Sequence, residues 1–232
     1  MEFTKSLIKG KLVKRYKRFF ADIKLDKEVV IAHCPNTGSM MGLLDEGNEV
    51  FISKNDDPKR KLKYTLEIIK VKNKLVGVNT HFANKIAYHG LSNNLIKEVA
   101  NNDKIKPEVF FDKETRFDFL VEKKDKKIFV EVKNVTLSRN EKYAEFPDTI
   151  TSRGSKHLRT LIEATKKGYK TYLLFLVQIQ GVTDFKIAKD IDKEYYENYK
   201  LAKKAGVKFL AYRCKISSKE IKIEKKIKII ND

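Results

Sequence analysis

Apolar and polar residues alternate along two neighbouring stretches near the middle of the chain. From Arg116 to Glu122, Phe117, Phe119 and Val121 fall on one face of an extended segment, and Asp118, Leu120 and Glu122 on the other. From Ile128 to Lys133, Ile128, Val130 and Val132 share a face opposite Glu131 and Lys133. The residues between, 123–127, are charged and suit a solvated turn, so the two stretches read as a hairpin. Residues opposite each other in such a pair point to the same side of the sheet. Asp118 therefore joins Glu131 and Lys133 only in a register with an even number of residues between paired positions. An odd register without a bulge puts it on the wrong face.

Downstream, Leu158, Leu161, Ile162 and Thr165 keep helical spacing, with Thr151 or Ser152 as N-cap and Gly168 as the stop. Residues 172–179 form an apolar run interrupted only by Gln178, the mark of a central strand buried on both faces. Over 80–100 a broken apolar stripe (Phe82, Ile86, Leu91, Leu95, Ile96) predicts a helix split near Gly90. Residues 192–205 predict a helix with Tyr195, Tyr196, Tyr199 and Ala202 in the core, and 207–214 a strand. Residues 221–229 alternate like an edge strand whose lysines oppose edge-to-edge pairing. The N-terminal third carries short β-rich segments at 19–25, 29–33, 49–53, 63–72 and 74–79, which suit a small OB-type barrel. The expected division is a barrel domain over 1–79 and an α/β (α+β) domain over 80–232. With no Pro- or Ser-rich linker, the two parts are expected to pack tightly.

Asp118 and Glu131 are hard oxygen donors of the kind Mg²⁺ or Mn²⁺ prefers, an ion that keeps several waters besides. Such an ion lowers the pKa of a bound water and neutralises charge on an attacked phosphate. Lys133, two residues past the Glu, reaches the same space and can orient the water or stabilise the transition state. The same three residues also suit a hairpin whose polar face carries a solvated Glu–Lys pair. Arg153, Lys156 and His157 follow at a predicted helix start, placed either to grip phosphate or to build a structural loop. Arg15, Lys17 and Arg18 interleave with Tyr16 and Phe19, as in a surface that stacks and neutralises nucleic acid, or as a solvated basic strand edge. Residues 36–40 read as a tight turn or a backbone nest for an anion.

At this point the chain resembles the sugar fermentation stimulation protein A (SfsA) family, nearly end to end. The resemblance rests on the 15–22 opening, Ala32-His33-Cys34-Pro35-Asn36-Thr37-Gly38-Ser39-Met40, Asn79-Thr80 with Ala83-Asn84, Arg116-Phe117-Asp118-Phe119, Glu131-Val132-Lys133-Asn134-Val135-Thr136-Leu137, and the block from Phe146-Pro147-Asp148 to His157-Leu158. It implies an N-terminal OB-like β-barrel followed by a PD-(D/E)xK nuclease-like mixed-sheet domain, DNA binding, and a regulatory role in sugar metabolism. The order strand, strand, helix, strand behind a helical stretch agrees with the α-β-β-β-α-β order of that nuclease fold. The wider nuclease class needs Asp118, Glu131 and Lys133, and this chain keeps all three. It sometimes adds another carboxylate, for which Glu98 and Asp148 are the candidates by position.

A formal net charge of +19 on 232 residues far exceeds what solubility requires and points to a polyanion, with DNA first and RNA as the alternative. The function reads as DNA binding on a nuclease-type metal site, with active Mg²⁺/Mn²⁺-dependent DNA cleavage as the other reading. No secretory leader and no apolar run near the roughly 20 residues of a membrane helix is evident, so a cytoplasmic protein is expected. Cys34 and Cys214 lie far apart without further ligands at zinc spacing, and read as reduced thiols. Nothing points to a small-molecule cofactor, and the pattern is silent on oligomeric state.

Overall fold

The computed structural model describes residues 1–230. Six N-terminal strands, β1 (Ile8–Tyr16), β2 (Phe20–Lys24), β3 (Val29–His33), β4 (Glu49–Lys54), β5 (Tyr64–Val71) and β6 (Lys74–Gly77), form one sheet in the order β3-β2-β1-β4-β5-β6. A parallel β3–β5 pairing closes it into a barrel. Alternate residues fill the interior: Ala21 and Ile23, Val30 and Ala32, Val50 and Ile52 are buried. Strand β1 lies at the centre of this sheet yet is not among the sequence-predicted strands. Its basic residues (Lys9, Lys11, Lys14, Arg15) mask a buried set of only Gly10 and Leu12. Lys17 and Arg18, at φ 47° and 63°, form the tight turn into β2.

The remainder contains α1 (Ala83–Ser92), β7 (Lys104–Phe110), β8 (Arg116–Lys123), β9 (Lys126–Val135), β10 (Tyr143–Phe146), α2 (Ser152–Lys166), β11 (Lys170–Val177), β12 (Asp184–Ile187), α3 (Lys193–Ala205), β13 (Lys208–Ile216), β14 (Ile221–Lys226) and β15 (Lys228–Ile229). Its main sheet runs β14-β13-β11-β9-β8-β7, mixed because β9, β11 and β13 are parallel and the outer pairings antiparallel. Strand β7 supplies the third β of the α-β-β-β-α-β order. Pro107 and its edge position hid it, since a proline is tolerated there but weakens the strand signal. The predicted tail strand is two strands: β14 edges the main sheet, and after the buried Ile227 the chain joins β10 and β12 as β15.

As expected, β11 is buried on both faces. Leu173, Phe175 and Val177 meet α2, α3 and the barrel core, whereas Tyr172, Leu174 and Leu176 meet the layer under α1. Helix α2 starts where predicted: Thr151 Oγ1 accepts from Gly154 N at 3.0 Å, and the chain leaves the helix through Gly168 at φ 88°. The side chain of Asp192 accepts from Tyr195 N as the cap of α3 and from Thr151 N ahead of α2, fixing the two helix starts together.

The barrel and the mixed sheet pack directly. Val76 bridges Ile179, Gly77 N donates to Gln178 O, and the amino terminus donates to Ile221 O at 2.9 Å. No helix among the described residues is long and apolar enough to cross a membrane. Cys34 and Cys214 are both free and buried.

Candidate functional site

Strands β8 and β9 pair Phe119 with Val130 and Leu120 with Phe129, so the register carries Asp118 to the position opposite Glu131. This is the even spacing that the site requires. One detail differs from the alternation: Phe117 packs against Phe129, ring centroids 4.9 Å apart, in the α2-side layer, whereas Phe119 lies under α1. The regular ladder ends at Phe119–Val130, and β8 leaves it there.

Asp118 is bound at both oxygens. Asn84 Nδ2, from the first turn of α1, donates to Oδ1 at 2.7 Å, and Val132 N donates to Oδ2 at 2.7 Å. Burial, followed by the negative charge of Glu131, raises this carboxyl to about 6, against the two hydrogen bonds and Lys133. Glu131 is 2 % exposed. Burial opposes its charge, yet Lys133 and His157 together hold it below the ordinary glutamate value. Lys133 Nζ donates to Glu131 Oε1 at 2.7 Å, and His157 Nδ1 contacts the same oxygen. Oε2 is buried and has no hydrogen-bond partner among the described residues. These features exclude the solvated Glu–Lys pair: both charges lie inside the protein.

Asp118, His157, Arg153 and Lys156 line an open cleft of about 640 Å³, bordered by Asn84, Glu108 and Arg116. Arg153 Nε approaches His157 Nε2 at 3.4 Å, and Lys156 Nζ pairs with Glu114 at 3.0 Å. The start of α2 thus brings its basic side chains to the two carboxylates, as its backbone N–H groups favour anions. Tyr195 lies beneath, fully buried, its hydroxyl without a partner and pushed well above its ordinary value by burial and then by Glu131.

Two predicted carboxylates belong elsewhere. Glu98 accepts from the Tyr212 hydroxyl at 2.7 Å and pairs with Lys226, beside β13 and β14. It sits in a short 3-10 turn after α1, because the helix ends at Ser92. Asp148 turns to the barrel, where Met40 N donates to its Oδ2 at 3.3 Å and Ser39 Oγ to its backbone oxygen at 2.7 Å. Gly38 is required there, since a Cβ would collide with the Asp148 carboxylate. The tight turn at 36–40 therefore receives a carboxylate from its own chain.

Arg15 also departs from a free basic surface. Its guanidinium donates to the carbonyls of Asn36 at 2.7 Å and Arg18 at 3.1 Å, bracing that turn, whereas Lys17 and Arg18 are exposed. Asn84 is the site residue that reasoning from chemistry alone missed. An amide on a helix start gives no catalytic signal, and only the α1–β8 packing puts it on Asp118.

Family comparisons agree with this layout. The description "SfsA N-terminal OB domain" matches residues 13–78, and "Sugar fermentation stimulation protein RE domain" matches residues 81–220. The chain belongs to the SfsA family. A sugar fermentation stimulation protein homolog of Pelagibacter ubique is 84 % identical over 231 residues, covering 100 % of both chains. One from Pseudoalteromonas atlantica is 44 % identical, covering 99 % of this chain and 100 % of that one. Among solved structures, that of Pyrococcus furiosus SfsA in complex with Ca²⁺ superposes with a TM-score of 0.89 at 25 % identity, covering 100 % of this chain and 98 % of that one. The SfsA fold, an OB barrel followed by a nuclease-like mixed-sheet domain, is thus the fold of this chain.

The donor set fits a small divalent cation. Among the described residues no group of three or more His, Cys, Asp and Glu side chains forms a cage. Mg²⁺ and Mn²⁺ need none, because they bind through one or two carboxylates and keep water. The bare Oε2 of Glu131 and the raised pKa of Asp118 mark two carboxylates held close together.

Proposed function

We propose that this chain binds DNA and carries a divalent-metal phosphodiester site on its nuclease-like domain. The observation that carries the reading is the unpartnered, buried Oε2 of Glu131 beside Asp118. Those two carboxylates would hold Mg²⁺ or Mn²⁺, and the Ca²⁺ of the Pyrococcus furiosus relative supports a divalent ion at this fold. When bound, the ion would activate a water and offset charge on the attacked phosphate.

The chain's own residues supply the rest. Asn84 and Val132 N hold Asp118 in one orientation. Lys133, 13 % exposed at its side chain and paired with Glu131, would be the donor to the attacking water or a phosphate oxygen. His157 fixes Glu131, while Arg153 and Lys156 at the cleft receive the phosphate backbone. Lys17 and Arg18 extend the basic surface onto the barrel. A net charge of +19 gives the whole chain its attraction to nucleic acid.

A second reading, DNA binding without cleavage, is favoured by one feature: the Lys133 ammonium is already engaged by Glu131. In that case a regulatory role in sugar use, as the relatives' name suggests, would run through binding alone. Mn²⁺ titration of the wild type and Glu131→Ala tests the ion site. Competition between DNA and RNA of matched sequence tests the polyanion, and preference for RNA would overturn the DNA assignment.

A further inference from the structure

On the far side of the first turn of α1 from Asp118 lies a second pocket, of about 630 Å³, that the metal site does not use. That is within the usual size of small-ligand sites. The helix start separates the two: Asn84 reaches Asp118, while His81, Phe82 and Lys85 face the pocket. One part of the lining is rich in nitrogen donors, with Arg60 and Lys85 as its fixed positive charges. Arg60, His33, His81 and Lys85 line it, and none of the four forms an ion pair among the described residues. The rings of His33 and His81 lie 6.3 Å apart, and Arg60 is held only by the Thr65 hydroxyl at 3.1 Å. Burial, then His81 and Arg60, push the His33 imidazole below its ordinary value, so it meets a ligand as a neutral ring, while Arg60 also interacts with the buried Glu67 carboxyl.

Beside them the lining is aromatic: Phe3 and Phe82 pack edge to face at 6.0 Å, with Lys85 Nζ 5.6 Å from the Phe82 ring centre. Also in the lining, Glu67, 2 % exposed, accepts from Ser53 Oγ at 2.6 Å and Asn79 Nδ2 at 2.8 Å, fixing two polar side chains at the pocket surface. A ligand that satisfies all three parts has an anionic group for Arg60 and Lys85, a flat apolar portion for the phenylalanines, and hydroxyls for the polar side chains.

We propose that this pocket binds a nucleoside 5′-phosphate, either free or as the phosphorylated end of a strand. The phosphate meets Arg60 and the two histidines, and the base lies against Phe82. Binding here is independent of the metal site and survives its loss.

The test uses the full chain in EDTA, with calorimetric titration by adenosine 5′-monophosphate, adenosine, inorganic phosphate, and a short oligonucleotide with and without a 5′-phosphate. The monophosphate should bind at least about tenfold more tightly than adenosine or phosphate alone, since both parts of the lining contribute. Arg60→Ala and Lys85→Glu should each weaken it about tenfold, and Lys133→Ala should leave it unchanged. Lys85 is exposed, so its substitution leaves folding intact. Preference for the 5′-phosphorylated oligonucleotide, competed by the monophosphate, identifies a strand end as the source. Monophosphate binding without that preference identifies the free nucleotide. Absence of binding by every phosphorylated probe, or binding indifferent to both Arg60→Ala and Lys85→Glu, overturns the proposal.

Discussion

Asp118 stands across the β8–β9 hairpin from Glu131, one residue beyond the last regular pair, and each makes the other's charge costly or cheap by what surrounds it. Glu131 has Lys133 and His157 and stays ionised. Asp118 has burial and Glu131 against it, and its pKa rises to about 6. For an acid whose folded pKa lies above its unfolded one, the folded state holds the proton more tightly. Its charge therefore disfavours folding by on the order of 2–3 kcal/mol once the pH passes about 6, and this penalty vanishes below the unfolded value of 3.8. A bound cation reverses that penalty. The Mn²⁺-induced rise in melting temperature should accordingly be small at pH 5, grow through pH 6 and level off above it. Melting curves with and without Mn²⁺ across that range measure this, and a shift independent of pH would place the ion elsewhere.

Asn84 holds Asp118 without carrying charge. Asn84→Ala should leave the fold intact and weaken Mn²⁺ binding by about tenfold, the usual effect of a lost orienting partner. Titration calorimetry gives the comparison.

Arg139 makes two ion pairs away from the site. It binds Glu145, which is 1 % exposed, at 2.7 Å, and also Asp190. Arg139→Ala leaves the buried carboxylate with Lys186 at 3.5 Å and the backbone N–H of residue 139 at 3.2 Å, and should cost about 3 kcal/mol in urea unfolding. Glu145→Gln, which removes the stranded charge, should cost less.

Nucleic-acid affinity should fall steeply with salt, because released counterions dominate binding to a phosphate backbone. Arg153→Ala and Lys156→Ala should each lower the slope of log affinity against log salt by about one. Fluorescence anisotropy on labelled DNA measures it.

Much of this was legible because the relevant signals are local. The β8–β9 alternation, the Thr151 cap and the apolar run of β11 each follow from one short segment. Strands β1 and β7 were hidden for physical reasons: one carries lysines over a buried pair, the other a proline on a sheet edge. The site was legible in its charged triad but not in Asn84, whose role exists only through packing of α1 on β8. Glu98 and Asp148 were misplaced for the converse reason. Each is a carboxylate with the right sequence position, but nearer donors claim it: Tyr212 and Lys226 for one, the Met40 N–H for the other.

Under the proposed reading Asp118 and Glu131 hold the ion and Lys133 acts beside it in a working site. Purified protein incubated with plasmid and single-stranded DNA in Mg²⁺ or Mn²⁺ tests it most directly. We predict cleavage that EDTA abolishes and that Glu131→Ala and Lys133→Ala each reduce at least about 100-fold. Absence of metal-dependent cleavage, or cleavage by both variants at the wild-type rate, would contradict it.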